Sequence, residues 1–288
     1  MDVGIGLPAT IPGVGRDELL GWARRAEERG FSSLGTIDRL VYGNLEPLVA
    51  LAAAAAVTDR IRLLTDILLA PLRGNGAMLA KQTATIDSLS GGRLALGVAP
   101  GVRPDDFEAA GVPHDRRGRL FDDQLEEMRK VWAGEPRGFA GAIGPPPGRD
   151  GGPELLIGGS VDAAIRRTVE VGDGWTMGGG TPDAFVAMVE RIRRAWSEAG
   201  RDGDPRFIAL CYFALGDVAE ATADQYLHDY YGIAGKEVAD AIAASAATDP
   251  PTVAEYRDAF ADAGADELIY FPCSPDPAQV DLLADVAL

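Results

Sequence analysis

Acid–base and nucleophilic chemistry needs His, Cys, Lys, Tyr or a well-placed carboxylate, and this chain is sparing with the first two. It has two histidines and two cysteines. His114 follows Pro113 in a loop and reads as a surface residue; His228 lies in "DQYLHDYYG", where it reads as one face of a helix. Cys211 and Cys273 sit in the apolar runs "ALCYFAL" and "IYFPCS", the setting of reduced core thiols. Together these four exclude a conventional Cys/His zinc site. No nucleophile–base–orienter set is visible. Asp and Glu together number 44, too many for a glycosidase-type pair to stand out. What remains is chemistry done by backbone. "LLIGGSVDAAI" puts Gly158, Gly159 and Ser160 after an apolar strand and directly before a helix. Free N–H groups at a helix start bind phosphate, and glycine permits close approach. A plain helix cap with Ser160 at the N-cap explains the same residues equally well.

The elements that must position such loops follow from period and punctuation. Apolar strands are expected at 3–7, 32–37, 60–71, 93–99, 153–159, 173–179, 206–216 and 266–273. Helices are expected at 16–29, 46–58, 78–88, around 118–132, 161–171, 182–199, in stretches through 217–246, and at 277–287. In the first helix Leu19, Leu20, Ala23 and Ala26 share a face, and Gly30 is its stop. Eight strand-then-helix units describe an α/β fold, a (β/α)8 barrel, in preference to a doubly wound sheet. Residues 134–152 are Gly/Pro-rich and read as a long loop, so residues 1–288 are expected to form one domain.

Composition sets the outer bounds. Of the residues, 47% are hydrophobic and 25% charged, ordinary for a chain with a full core. A net charge of −17 argues against nucleic acid or an anionic membrane as partner. "MDVGIGLPATIPG" has no basic segment and no long apolar run, so a cytoplasmic enzyme with a small-molecule substrate is the expectation.

One stretch is recognisable. "AKQTATIDSLSGGRLALGVAPG" (80–101) resembles the bacterial luciferase-like flavin and deazaflavin oxidoreductases, whose hallmark is a third helix running into D-x-L-S-G-G-R-x-x-L-G-V-x-x-G. "TDRIRLLTDILLAPLRGN" (58–75), "GVPHDRRGRLFDDQLEEMRKVWAG" (111–134) and "LLIGGSVDAAIRRTVEVGDGW" (155–175) follow in the family's order. The resemblance implies that FMN or coenzyme F420 binds at the strand ends and carries hydride transfer or monooxygenation of a small organic substrate. It implies a bulge with a non-prolyl cis peptide at Asp66–Ile67, with Thr65, Asp66 and Ile67 behind the ring. Asp38 falls where the second strand approaches the ring. Gly97, Ala99, Pro100 and Gly101 fall on the fourth-strand loop that lines it, and Gly158, Gly159, Ser160 and Val161 on the phosphate-binding turn. Trp175 reads as a packing residue. A homodimer is implied too, with helices 46–58 and 78–88 as its small-residue surface.

Two departures from the family pattern bear on catalysis. Where the sugar-phosphate-oxidising deazaflavin members carry a His next to the second-strand Asp, this chain has Arg39; where they carry a Glu after the fourth-strand Gly, it has Val102. The active-site His of the luciferases is likewise missing. Asp38 and Arg39 are the catalytic candidates that remain, and Arg39 could hold an anionic group or simply face solvent. Tyr42, Tyr212 and Tyr270 are candidate proton donors. A non-catalytic flavin-binding relative is the first alternative. A phosphate-binding barrel lyase is the second; it would want a Lys at a strand end, and Lys81, Lys130 and Lys236 all fall in helical stretches.

Overall fold

Short apolar runs that alternate with amphipathic stretches can be buried on both faces only if the helices cover the outside of a parallel sheet. The computed structural model, which describes residues 1–288, has this arrangement. Its eight strands are β1 (Asp2–Gly6), β2 (Ser33–Thr36), β3 (Arg62–Leu69), β4 (Leu94–Ala99), β5 (Glu154–Gly158), β6 (Gly174–Met177), β7 (Arg206–Phe213) and β8 (Glu267–Pro272). They are parallel and close in sequence order, β1 pairing β8 with Val3 beside Leu268. The fold is the expected α/β, (β/α)8 barrel.

Around it run α1 (Arg16–Arg29), α2 (Pro47–Ala55), α3 (Gly76–Ser90), α4 (Pro104–Ala110), α5 (Arg117–Trp132), α6 (Asp162–Val171), α7 (Pro182–Glu198), α8 (Ala219–Tyr231), α9 (Lys236–Ala244), α10 (Pro250–Asp262) and α11 (Ala278–Ala287). α1 buries Leu19, Trp22, Ala23 and Ala26, so Trp22 takes the place expected of Leu20. Two helices were not foreseen. α4 spans seven residues, too few for a helical period to show. α10 begins on two prolines, Pro250 and Pro251; Asp249 caps it by accepting from the Thr252 N–H, and proline is tolerated in a first turn.

The lumen is packed solid. A Cβ added at Gly6 or Gly35 would lie 2.4 or 2.7 Å from the ring of Phe271, which is fully buried. Two strands give up side chains so that a third can fill the barrel with one aromatic ring. Burying a side chain of this size contributes on the order of 3 kcal/mol.

The hallmark segment turns out to be a joint at the N-terminal end of the barrel. Gly91 and Gly92, at φ 73° and 83°, turn the chain out of α3. Arg93 then donates to the carbonyls of Ser90, Ile61, Thr58 and Ala55. Asp87 accepts from the backbone N–H of Leu94 and of Gly148, tying the 134–152 loop to the start of β4. Residues at this end of such a barrel serve stability.

Candidate active site

The C-terminal strand ends surround a cavity of about 500 Å³. One side is built from main chain and small residues. β3 changes register against β4 between Thr65 and Leu68, and the Asp66–Ile67 peptide inside that bulge is cis. Beside it lie Ala99, Pro100 and Gly101 at the end of β4, then Gly158 to Val161 at the end of β5. A Cβ on Gly158 would sit 2.6 Å from Ile67 Cδ1 and 3.3 Å from the Ala99 Cβ, so this wall is close-packed without it. Gly101, Gly159 and Gly179 have φ of 79°, 115° and 104°, the left-handed side of the map that glycine adopts freely. The turn after β5 leads into α6, whose N-cap is Val161 and which no side chain caps. Ser160 is therefore not the capping residue, and the first N–H groups of α6 keep their bonding capacity.

The opposite side is aromatic. Leu210 and Tyr212 come from β7, Tyr230 and Tyr231 from the end of α8. The Tyr212 and Tyr231 hydroxyls meet at 2.7 Å. Burial holds both phenols above their usual pKa, so they are neutral donors. Arg103 lies over the rings of Tyr230 and Tyr231 at 5.2 and 5.9 Å and donates to the Tyr230 carbonyl, leaving Nη1 with no partner. Arg117 and Arg167 also border the cavity. Arg167 is paired with Asp122 at 2.7 Å, so Arg103 and Arg117 supply the positive charge at this cavity that no carboxylate answers, on a chain of charge −17.

A larger groove, about 570 Å³, lies between α5 and α6 outside the barrel. Its mixed Asp, Glu, Arg and Lys lining pairs with itself, as Arg166 does with Asp122 and Glu170, and no strand end opens into it.

Residues 1–270 match the family described as luciferase-like monooxygenase. The chain belongs to that family. An uncharacterized protein of Mycobacterium tuberculosis is 33% identical over 207 residues, 62% of this chain and 71% of the relative. The FMNH2-dependent dimethylsulfone monooxygenase of Pseudomonas putida is 29% identical over 212 residues, covering 67% of this chain and 57% of that protein. Among solved structures, an F420-dependent secondary alcohol dehydrogenase in complex with an F420–acetone adduct superimposes with a TM-score of 0.80 at 20% identity, over 99% of this chain and 97% of that one.

Most of the expected site residues of this luciferase-like chain border the cavity: Asp38, Asp66, Ile67, Ala99, Pro100, Gly101, Gly158, Gly159, Ser160 and Val161. Thr65 and Gly97 lie beneath them, joined by a bond from Thr65 Oγ1 to the Gly97 carbonyl at 2.9 Å. Asp38 is there but fully engaged, by Arg73 at 2.7 Å and by the Leu69 N–H at 2.9 Å. Arg39 neither faces solvent nor borders the cavity. It is 8% exposed, sits between the rings of Tyr42 and Tyr230 at 4.6 and 5.2 Å, and donates to the Tyr230 carbonyl.

Of the three tyrosines considered as proton donors, Tyr212 alone borders the cavity. Tyr270 points outward and donates to the Val253 carbonyl of α10, and Tyr42 is bonded to Asp229. Trp175 packs on Phe185 and also anchors the turn after β5 by donating to the Gly159 carbonyl at 2.8 Å. His114 braces the β4 loop through the Val102 carbonyl, and His228 pairs with Asp240 on the outer surface. No lysine borders the cavity, which removes the feature a barrel lyase would need. Sequence reasoning missed Arg103, Tyr230 and Tyr231. The doubled tyrosine in "DYYG" was the available signal, hidden because a helix end carries no strand-end signature.

Proposed function

We propose that this protein is an oxidoreductase that binds FMN or coenzyme F420 across its strand ends and transfers hydride or oxygen to a small organic substrate. The observation that carries the reading is the cavity wall of main chain and small side chains, running from the β3 bulge to the turn before α6. A planar ring needs a close-packed, flat surface, and a phosphate needs free N–H groups; both lie on one side of this cavity. Both cofactors offer a ring system and a phosphate. The FMNH2-dependent and F420-dependent proteins similar to this one support the same reading.

When bound, such a group supplies the electron chemistry itself. The chain's part is to hold and to exclude. Gly158 and Ile67 shape the flat wall, and the N–H groups at the start of α6 receive the phosphate. Asp38 keeps the bulge in place through Arg73 and the Leu69 N–H. Tyr212, Tyr230 and Tyr231 close the facing side, where an organic substrate would meet apolar ring edges and the hydroxyl proton that the Tyr212–Tyr231 bond leaves free. Arg103, with a free Nη1, suits an oxygen acceptor there.

Titrating ligand-free protein with FMN and with F420 separately, by fluorescence quenching, tests this. Saturable binding of one of them at micromolar concentration is expected; failure of both removes the reading. Tight binding with no turnover across oxidisable substrates would instead favour a flavin carrier. We also propose that two copies associate through α2 and α3, which pack side by side and expose Val49, Met78 and Leu89.

A further inference from the structure

Two guanidinium groups converge on one carbonyl at the mouth of the barrel. Arg39, from the segment after β2, donates to the Tyr230 oxygen at 2.8 Å, and Arg103, from the loop after β4, donates to the same oxygen at 3.2 Å. Both also lie over the Tyr230 ring, each at 5.2 Å. The carboxylates that flank them in the chain are engaged elsewhere: Asp38 by Arg73, Asp106 by the Leu40 and Val41 N–H groups, and Asp229 by Tyr42. Neither guanidinium meets a carboxylate, in a chain where acids outnumber bases 44 to 27.

The end of α8 accounts for one of these cations and not for two. A carbonyl there carries part of a negative charge, about half a unit for the whole helix end. Arg39, 8% exposed and away from the cavity, satisfies it. A second cation at the same atom is repelled by the first. Arg103 is the one that can be answered from outside the protein, because it is half-buried and borders the cavity. Its Nη2 is engaged by Tyr230 and its Nη1 is enclosed, whereas Nε has no protein partner and is not enclosed. Leu210 and the rings of Tyr212, Tyr230 and Tyr231 stand around it, with Tyr230 and Tyr231 4.9 Å apart. Arg117, the other unanswered cation, opens α5 on the far side. Arg167 of α6 bonds the next carbonyl, that of Gly118, so Arg117 belongs with the turn suited to phosphate.

We propose that the substrate of this site is a small organic acid, its carboxylate held by Arg103 and its apolar body by the tyrosine wall. This rests on the FMN or F420 reading and adds to it a substrate class and the residue that selects it. A hydrogen bond from a guanidinium to a carboxylate is about twice as strong as one between neutral groups. The tyrosine faces give the rest of such a molecule an apolar surface opposite the ring seat. A neutral alcohol or ketone would leave the Arg103 charge unanswered. A phosphate ester needs several donors, and those lie at the start of α6.

The probes that test this are benzoate and its neutral isostere benzamide. They are titrated by calorimetry into protein saturated with whichever of FMN or F420 it binds, so that the ring seat is already filled. Wild type should prefer benzoate by about tenfold or more, and the preference should shrink as salt is raised. Arg103→Gln should bind the two probes equally; Arg103→Lys, which restores the charge, should recover a preference. Melting curves check that both variants fold, and the wild-type comparison can overturn the proposal without them. Equal binding of the probes by wild type, or binding of neither, overturns it and leaves the cofactor reading standing. So does an undiminished preference in Arg103→Gln. If FMN or F420 affinity falls in that variant instead, the guanidinium serves the cofactor's own anionic groups. Failure of wild type to bind either cofactor is seen before any probe is added; it overturns the oxidoreductase reading and this inference with it.

Discussion

Asp38 and Arg73 form a 2.7 Å ion pair that fixes the segment after β2 to the turn after β3, and the second Asp38 oxygen accepts from the Leu69 N–H. Both side chains are largely buried, at 3% and 18% exposure. Each oxygen of Asp38 is thus bonded to a group of the β3 segment, and its role is to hold the bulge that backs the cavity.

Removing it should therefore act on stability before chemistry. Asp38→Ala leaves Arg73 with Glu46 as its remaining partner. The expected cost is about 3 kcal/mol, the low end for breaking a buried pair. Cofactor affinity should fall with it. Urea unfolding and ligand titration check this. A variant of unchanged stability and affinity but no turnover would make Asp38 a catalyst after all.

Asp66 gives the protein a stability that declines as pH rises. The unfolded chain loses the Asp66 proton near pH 3.9, whereas burial keeps it on the folded protein to about pH 7. Between those values the folded state binds more protons, so raising the pH favours unfolding. The contribution is complete below about pH 4 and is lost by about pH 7, a span of three units worth about 4 kcal/mol. Comparing wild type with Asp66→Asn at pH 5 and pH 8 isolates it. Equal pH slopes for the two proteins would place the Asp66 proton elsewhere.

Glycines around the cavity should separate into structural and ligand-facing sets. A Cβ at Gly97 would lie 2.3 Å from the Thr65 carbonyl oxygen, and both atoms belong to paired strands that cannot recede. Gly97→Ala should cost about 3 kcal/mol or more. At Gly159 the nearest atom to an added Cβ is the Ala164 Cβ at 3.4 Å, but φ is +115°. Gly159→Asp should cost about 1–2 kcal/mol from that backbone conformation. Its charge beside a bound phosphate should weaken cofactor binding by about 100-fold or more. Melting curves and titrations on both variants decide; normal affinity in Gly159→Asp takes the turn out of the site.

Arg39 predicts a packing phenotype. Its guanidinium stacks on two tyrosine rings and bonds a carbonyl, so Arg39→Ala should destabilise the chain by about 2–3 kcal/mol. Arg39→Lys should recover only part of this, because an ammonium cannot stack as a plane. Thermal unfolding together with KM and kcat is the readout. A large fall in kcat at unchanged stability would contradict it.

Association through α2 and α3 is open to a direct test. Val49 and Met78 are 67% and 55% exposed. Placing charge there by Val49→Asp and Met78→Asp should convert a dimer to a monomer in sedimentation at micromolar concentration, with cofactor affinity unchanged. A monomeric wild-type chain would dismiss the interface.

The sequence by itself determined the strand order, the barrel and the wall of backbone on one side of the cavity. These are written locally: short continuous apolar runs for strands, period 3.6 for helices, and Gly or Pro where the chain turns. It determined the family as well, because "DSLSGGR" is contiguous in the chain, although Arg93 reaches Ala55, Thr58 and Ile61 and Asp87 reaches Gly148 only in the fold. Only the tertiary structure decided what individual polar side chains do. Asp38 reads from sequence as a free carboxylate and is engaged by Arg73, 35 positions away. Arg39 reads as holding an anionic group or facing solvent and is enclosed between Tyr42 and Tyr230. Tyr230 and Tyr231 reach the cavity from a helix end, and Asp66 meets Thr176 across the lumen, 110 residues on. These pairings exist because β1 closes on β8 and brings distant strand ends onto one rim; no local period encodes which side chains then face each other.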